Sequence, residues 1–109
     1  MRTVRACRLS IYLGNADLHK HRSLSAEILR RAHRSGLTGA TTLQGMEGFG
    51  HSGTIHLKPV WRLTDRTPIT VHILDEPERI AAFLPQLDDV ADHCLIVCDT
   101  VDVVVSDSR

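Results

Sequence analysis

Seven histidines and a run of four closely spaced glycines carry most of the chemical capacity of this sequence. Histidine titrates near neutrality, so it can ligate a metal, move a proton or meet an anion. His51 and His56 flank the stretch that holds Gly45, Gly48, Gly50 and Gly53. Glycine N–H groups suit anions because no Cβ blocks close approach. His51 and His56 can therefore contact an anionic ligand, a metal or a protein partner, although ordinary polar loop residues would also look like this. Phe49, set among the glycines, can stack on a base or anchor the segment. The remaining histidines (His19, His21, His33, His72 and His93) read mostly as surface residues.

His93, Cys94 and Cys98 lie close together in sequence and raise the question of a metal. Structural zinc sites normally pair two C-x₂₋₄-C units, and only Cys94-x₃-Cys98 is present. On a strand, positions 94 and 98 share a face, which predicts two buried apolar thiols and no metal site. A Gly-x-Ser-x-Gly elbow, a Gly-Lys-Ser/Thr phosphate loop and a His-Glu-x-x-His helix are all missing from the sequence. Asp75-Glu76 ends a strand and opens a helix, where carboxylates complement the helix dipole without acid–base work. No catalytic residue is assigned, and the expectation is a protein that is not an enzyme.

These residues need a scaffold, and 109 residues suffice for one domain spanning 1–109 with one core. Apolar residues make up 42% and charged residues 24%, which is a globular composition. Thirteen basic and thirteen acidic residues cancel, so no nucleic-acid footprint of clustered charge is evident. The densest basic group, Arg30, Arg31 and Arg34 with His33, falls on a predicted helix and reads as a solvated face. Apolar runs such as 95–97 and 103–105 are strand-sized and far short of the ~20 residues that span a bilayer. The N-terminus lacks the apolar core of a secretion signal, and three cysteines, an odd number, argue against a secreted disulfide framework. Together these predict a cytoplasmic protein that inserts in no membrane.

Periodicity supplies the elements. Cys7, Leu9, Ile11 and Leu13 alternate with polar residues, the period of a half-buried strand. Ser23 or Ser25 can cap a helix carrying Leu24, Ile28, Leu29 and Ala32, which Gly36 closes. Residues 39–44 form a second strand that runs into the glycines, where a permissive and mobile backbone is expected. Residues 57–63 can be extended, and 64–68 form a turn. Ile69, Val71 and Ile73 mark a strand, after which Pro77 starts a helix that Pro85 should bend or split. Residues 95–98 and 101–105 close the chain as one strand or a bent pair.

The order β-α-β-loop-β-α-β fits an α+β fold, the ferredoxin-like βαββαβ sandwich, with an antiparallel sheet, two helices on one face and a mobile loop between strands two and three. The other sheet face is left uncovered and mixed in character, which predicts burial against sister subunits.

The segments Ile11-Tyr12-Leu13-Gly14-Asn15-Ala16-Asp17 and Gly36-Leu37-Thr38-Gly39-Ala40-Thr41-Thr42-Leu43-Gln44-Gly45-Met46-Glu47-Gly48-Phe49-Gly50 resemble the PII-like proteins known as domain of unknown function 190. The likeness continues through Ile55-His56, 68–75 and Phe83-Leu84-Pro85, so it covers nearly the whole chain. It implies a ferredoxin-like subunit assembled as a homotrimer, with the glycine segment as the loop that PII signal proteins use to touch partners. In better-known PII proteins adenine nucleotides lie in clefts between subunits, and Gly48-Phe49-Gly50 matches the loop base beside their phosphates. Those proteins carry a Gly- and Lys-rich loop before the last strand. Here that place reads Asp92-His93-Cys94-Leu95, and Asn15 and Gln44 also depart from the family pattern.

The resulting expectation is a signalling protein that binds a small anionic ligand or nucleotide between subunits through Gly45, Gly48, Phe49, Gly50, His51 and His56. It would act on a protein partner, a membrane transporter or an enzyme, through the loop. The alternatives are a ligand-independent docking module and a metal-binding protein using His51, His56 or His93. The sequence names no cofactor.

Overall fold

A computed structural model describes residues 1–14, 18–20, 22–49, 55–57 and 67–107. In chain order the elements are β1 (Arg2–Gly14), β2 (Leu18–His19), β3 (Arg22–Ser23), α1 (Leu24–Arg34), β4 (Ala40–Gln44), β5 (Glu47–Phe49), β6 (Ile55–Leu57), β7 (Pro68–Asp75), α2 (Pro77–Phe83) and β8 (Leu95–Val105). Short 3₁₀ turns at Leu84–Leu87 and Ala91–His93 join α2 to β8. The main sheet has the order β4-β7-β1-β8 and is antiparallel throughout, which is the ferredoxin-like sandwich. Two small ladders, β2–β3 and β5–β6, lie outside it.

Strand alternation builds the core. Cys7, Leu9, Ile11 and Leu13 of β1 and Ile69, Val71 and Ile73 of β7 point to one face. There they meet Leu24, Ile28 and Ala32 of α1, Ile80 and Phe83 of α2, and Leu87 and Val90 beyond it. The opposite face carries Tyr12, Leu43, Leu74, Leu95 and Val97, all exposed, so both helices sit on one side as the element order predicts. On that open face the Ser10 hydroxyl lies 3.2 Å from His72 Nδ1, and the guanidinium of Arg8 donates from Nη2 to Asp99 at 2.8 Å.

The helix signals act where the sequence places them. The Ala26 N–H donates to the Ser23 hydroxyl at 3.4 Å, making Ser23 the N-cap of α1. Gly36 takes φ +74°, and its N–H donates to the His33 carbonyl at 3.1 Å. Pro77 occupies the first turn of α2, and α2 stops at Phe83, where Pro85 turns the chain into a 3₁₀ segment. β8 is one unbroken strand of eleven residues.

Two expectations are corrected. Cys94 and Cys98 are not a pair of buried thiols on one strand. Cys94 is buried in the turn before β8 begins at Leu95, so strand periodicity does not relate the two. Cys98 lies on the outer strand opposite Leu9, is exposed, and is disulfide-bonded to Cys7 diagonally across the ladder, with Cα atoms 6.7 Å apart. Nor is Arg31 part of a solvated face: its side chain is only 13% exposed. It donates from Nε to Glu27 at 2.8 Å and from Nη1 to Asp89 and to the Gln86 carbonyl, each at 2.7 Å, tying α1 to the segment after α2. The Asp89 contact raises the affinity of Arg31 for its proton, and the same hydrogen bond lowers the Asp89 carboxyl below its ordinary range.

Candidate ligand site at the loop base

The loop between β4 and β7 emerges from one end of the sheet. Register shows what gathers there: Gln44 pairs with Ile69, Gly14 with Pro68 and Tyr12 with Leu95. The end of β1, the base of the loop and the turn before β8 therefore converge. Gly45 begins the loop, and its N–H donates to the Pro68 carbonyl at 2.7 Å. A Cβ at position 45 would come within 2.9 Å of Pro68 Cγ, so this close crossing of two strands requires glycine. Gly45 thus has a packing reason as well as a place beside the candidate site.

Beyond Gly45 the described residues of the loop form strands again. Glu47–Phe49 pairs antiparallel with Ile55–Leu57, and in that ladder Gly48 faces His56 and Phe49 faces Ile55. Four of the six candidate residues are thereby located: Gly45 at the base, Gly48 and Phe49 on β5, and His56 on β6. Cross-strand pairing brings Gly48 and His56 together although eight positions separate them in sequence. Gly50 and His51, and the extended stretch expected beyond Leu57, lie outside the described residues. His93 is in the 3₁₀ turn before β8, and its neighbour Cys94 is buried, so the sequence cluster of His93, Cys94 and Cys98 is split between a turn and a disulfide.

A brace that sequence reasoning assigned to the helix dipole fixes where β4 enters the sheet. Asp75 is buried at the end of β7 and accepts from the Thr38 N–H at 2.8 Å and from the Glu76 N–H at 2.7 Å. Arg79 approaches the same carboxylate at 3.4 Å and also donates to the Gly36 carbonyl. Burial pushes the Asp75 carboxyl up, but the N–H donors of Thr38 and Glu76, the Thr38 hydroxyl and the charge of Arg79 outweigh it. The carboxyl is held below its ordinary value. The Gly36-to-Thr38 turn is locked in this way, β4 follows in register on β7, and Gly45 arrives beside Pro68. The cue in sequence is an acid at a strand end facing a Gly-Leu-Thr turn, which only the fold brings together.

Comparison with known proteins agrees with this architecture. The family model for domain of unknown function 190, described as "Uncharacterized ACR", matches residues 6–103. A UPF0166 protein of Aquifex aeolicus is 29% identical over 104 residues, covering 95% of this chain and 98% of its own. A UPF0166 protein of Methanocaldococcus jannaschii is 30% identical over 87 residues, covering 80% of each. Among solved structures, CPII from Thiomonas intermedia K12, a nitrogen regulatory PII-like protein bound to ADP, AMP and bicarbonate, superposes with a TM-score of 0.71 at 15% identity, covering 95% of this chain and 100% of its own. The same protein bound to ADP and bicarbonate gives a TM-score of 0.67 at 19% identity, covering 94% and 91%. At such identity the structural likeness speaks for the fold, while the family match spans most of the chain. The chain therefore has the fold of PII-like proteins and belongs to the family known as domain of unknown function 190.

Proposed function

We propose that this protein is a non-catalytic PII-like regulator that assembles as a homotrimer through the open face of its sheet. It binds a small anionic ligand or nucleotide in the clefts so formed and signals to a protein partner through the 45–56 segment. The observation that carries this reading is the open sheet face: Tyr12, Leu43, Leu74, Leu95 and Val97 are exposed together. Five large apolar side chains exposed on one sheet face, interleaved with Ser10, Thr70 and His72, are more than a monomer's surface usually carries. At the end of that face stands the glycine-bearing loop base. Copies packed on it would set the loop of one chain beside the edge of the next, with Gly45, Gly48, Phe49, Gly50, His51 and His56 toward the ligand. CPII, with ADP, AMP and bicarbonate bound, supports an anion of that size.

The turn before β8 narrows the ligand. Asp92 and His93 are exposed there and offer neither glycine nor lysine, so a triphosphate would lack a main charge partner. AMP, ADP and bicarbonate are the first ligands to test, with ATP binding more weakly. Light scattering should give three times the chain mass, and a thermal-shift series should show stabilisation that grows with ligand concentration. A monomer across the micromolar range, with no shift from any nucleotide or bicarbonate, would overturn the reading.

A further inference from the structure

We propose that the concavity between the β2–β3 hairpin and helix α1 is a second anion site, one that takes a small polyphosphate-bearing molecule. It shares no residue with the 45–56 segment, and it stands whether or not the trimer reading holds. The concavity has a volume of about 450 Å³. That lies within the range of roughly 300–1,000 Å³ usual for small-ligand sites. The hairpin contributes His19, Lys20 and Arg22, and one face of α1 contributes Arg30, Arg31 and Arg34.

Charge makes this concavity unusual in a chain with no net charge. Five basic side chains line it, and among the described residues the carboxylates in reach are Glu27 in its wall and Asp89 behind it. Both acids are already engaged. Glu27 accepts from Arg30 and from Arg31, and Asp89 accepts from both terminal nitrogens of Arg31, at 2.7 and 3.0 Å. His19 completes this wall, with Nε2 3.2 Å from Arg31 Nη2. Lys20, Arg22 and Arg34 are exposed and, among the described residues, have no acidic partner. Among the described residues, five cations against two carboxylates leave an excess of three positive charges around one hollow.

Geometry adds to charge. Arg31 is held at the wall by four protein acceptors or partners, so the floor of the hollow is rigid. Lys20 adopts φ +50°, a left-handed conformation that non-glycine residues rarely take, at the turn of the hairpin. A positive φ is what the first loop residue of a two-residue hairpin commonly takes, and here it sets a lysine at the rim of a basic hollow. Guanidinium groups converging with an ammonium match the several oxygens of a polyphosphate, which can accept from all of them at once. A nucleic acid would call for a basic stripe along the surface, whereas these cations converge.

The test is calorimetric titration of the full chain with inorganic triphosphate at moderate salt. One triphosphate should bind per chain, and affinity should fall steeply as salt rises. Lys20→Ala, Arg22→Ala and Arg34→Ala combined should weaken binding by roughly a hundredfold or more, since three charge-assisted contacts are lost. Arg34→Ala alone should give an intermediate loss. All three side chains are exposed, so the melting temperature should hardly move. The charge control is Arg2→Ala with Arg5→Ala, exposed residues at the opposite end of β1, which should bind as the wild type does. No binding by the wild type, unchanged binding by the triple variant, or an equal loss in the charge control would each overturn the proposal.

Discussion

The two faces of the central sheet are built from the same strands and both carry large apolar residues, yet these have opposite fates. On the helix side, Leu9, Ile11, Val71 and Ile73 are 0% exposed. On the other side of these strands and their neighbours, Tyr12 is 43% exposed, Leu43 51% and Leu95 59%. Hydrophobicity alone does not separate them. The difference is that α1 and α2 each own one apolar stripe and lay it on the same face. An apolar residue on the far face has nothing in its own chain to meet. Within one chain, then, burial is assigned by layer, and the proposed assembly would cover the apolar side chains left over.

The contrast can be broken from the covered side. Phe83→Ala, at a side chain 1% exposed, should cost about 3–5 kcal/mol in urea unfolding because it opens a cavity between α2 and the sheet. Asp75→Asn should cost less, about 1–3 kcal/mol, since a buried acceptor of two N–H groups loses its charge. This effect has a pH signature. The folded Asp75 carboxyl titrates below its ordinary value of 3.8, so its contribution is fully present above that value and is lost as pH falls through the lowered one. The stability of the wild type should drop steeply on acidification below about 4, and Asp75→Asn should flatten that part of the curve. Ser23→Ala removes the α1 cap, and with a bond as long as 3.4 Å the loss should sit near the low end, about 0.5–1 kcal/mol.

The smallest effect on the fold, and the sharpest test of the contrast, comes from the open face. Leu95→Asn with Val97→Asn should change unfolding free energy in dilute protein by less than about 0.5 kcal/mol, the range of ordinary surface changes. It should abolish self-association in light scattering and remove the concentration dependence of Tm. If the double variant keeps its assembled mass, the open face is not where copies meet.

Much of the scaffold was legible in the residues. Leu9, Ile11 and Leu13 announce a half-buried strand, Ser23 and Gly36 bracket α1, and Pro85 ends α2, because periodicity, caps and proline act over a few residues. The site was only partly legible. Gly45 was singled out for its free backbone, but its close contact with Pro68 depends on a residue more than twenty positions away. The pairing of Gly48 with His56 is likewise a matter of register. The cysteines misled for the same reason: spacing along one strand suggested Cys94 with Cys98, while cross-strand neighbourhood joined Cys98 to Cys7. Within the basic group at 30–34, Arg31 was read as solvated because its acidic partner Asp89 belongs to a distant segment.

By itself the sequence determined the kinds and order of the four main strands and two helices, one apolar stripe per helix, and the family, since each of these follows from local patterns or from residues in a row. Tertiary structure alone decided that Asp75 braces the turn leading into β4, and that Lys20, Arg22 and Arg34 surround one hollow. These are relations between residues far apart in the chain. Charge and contact act through space, and only folding sets the distances.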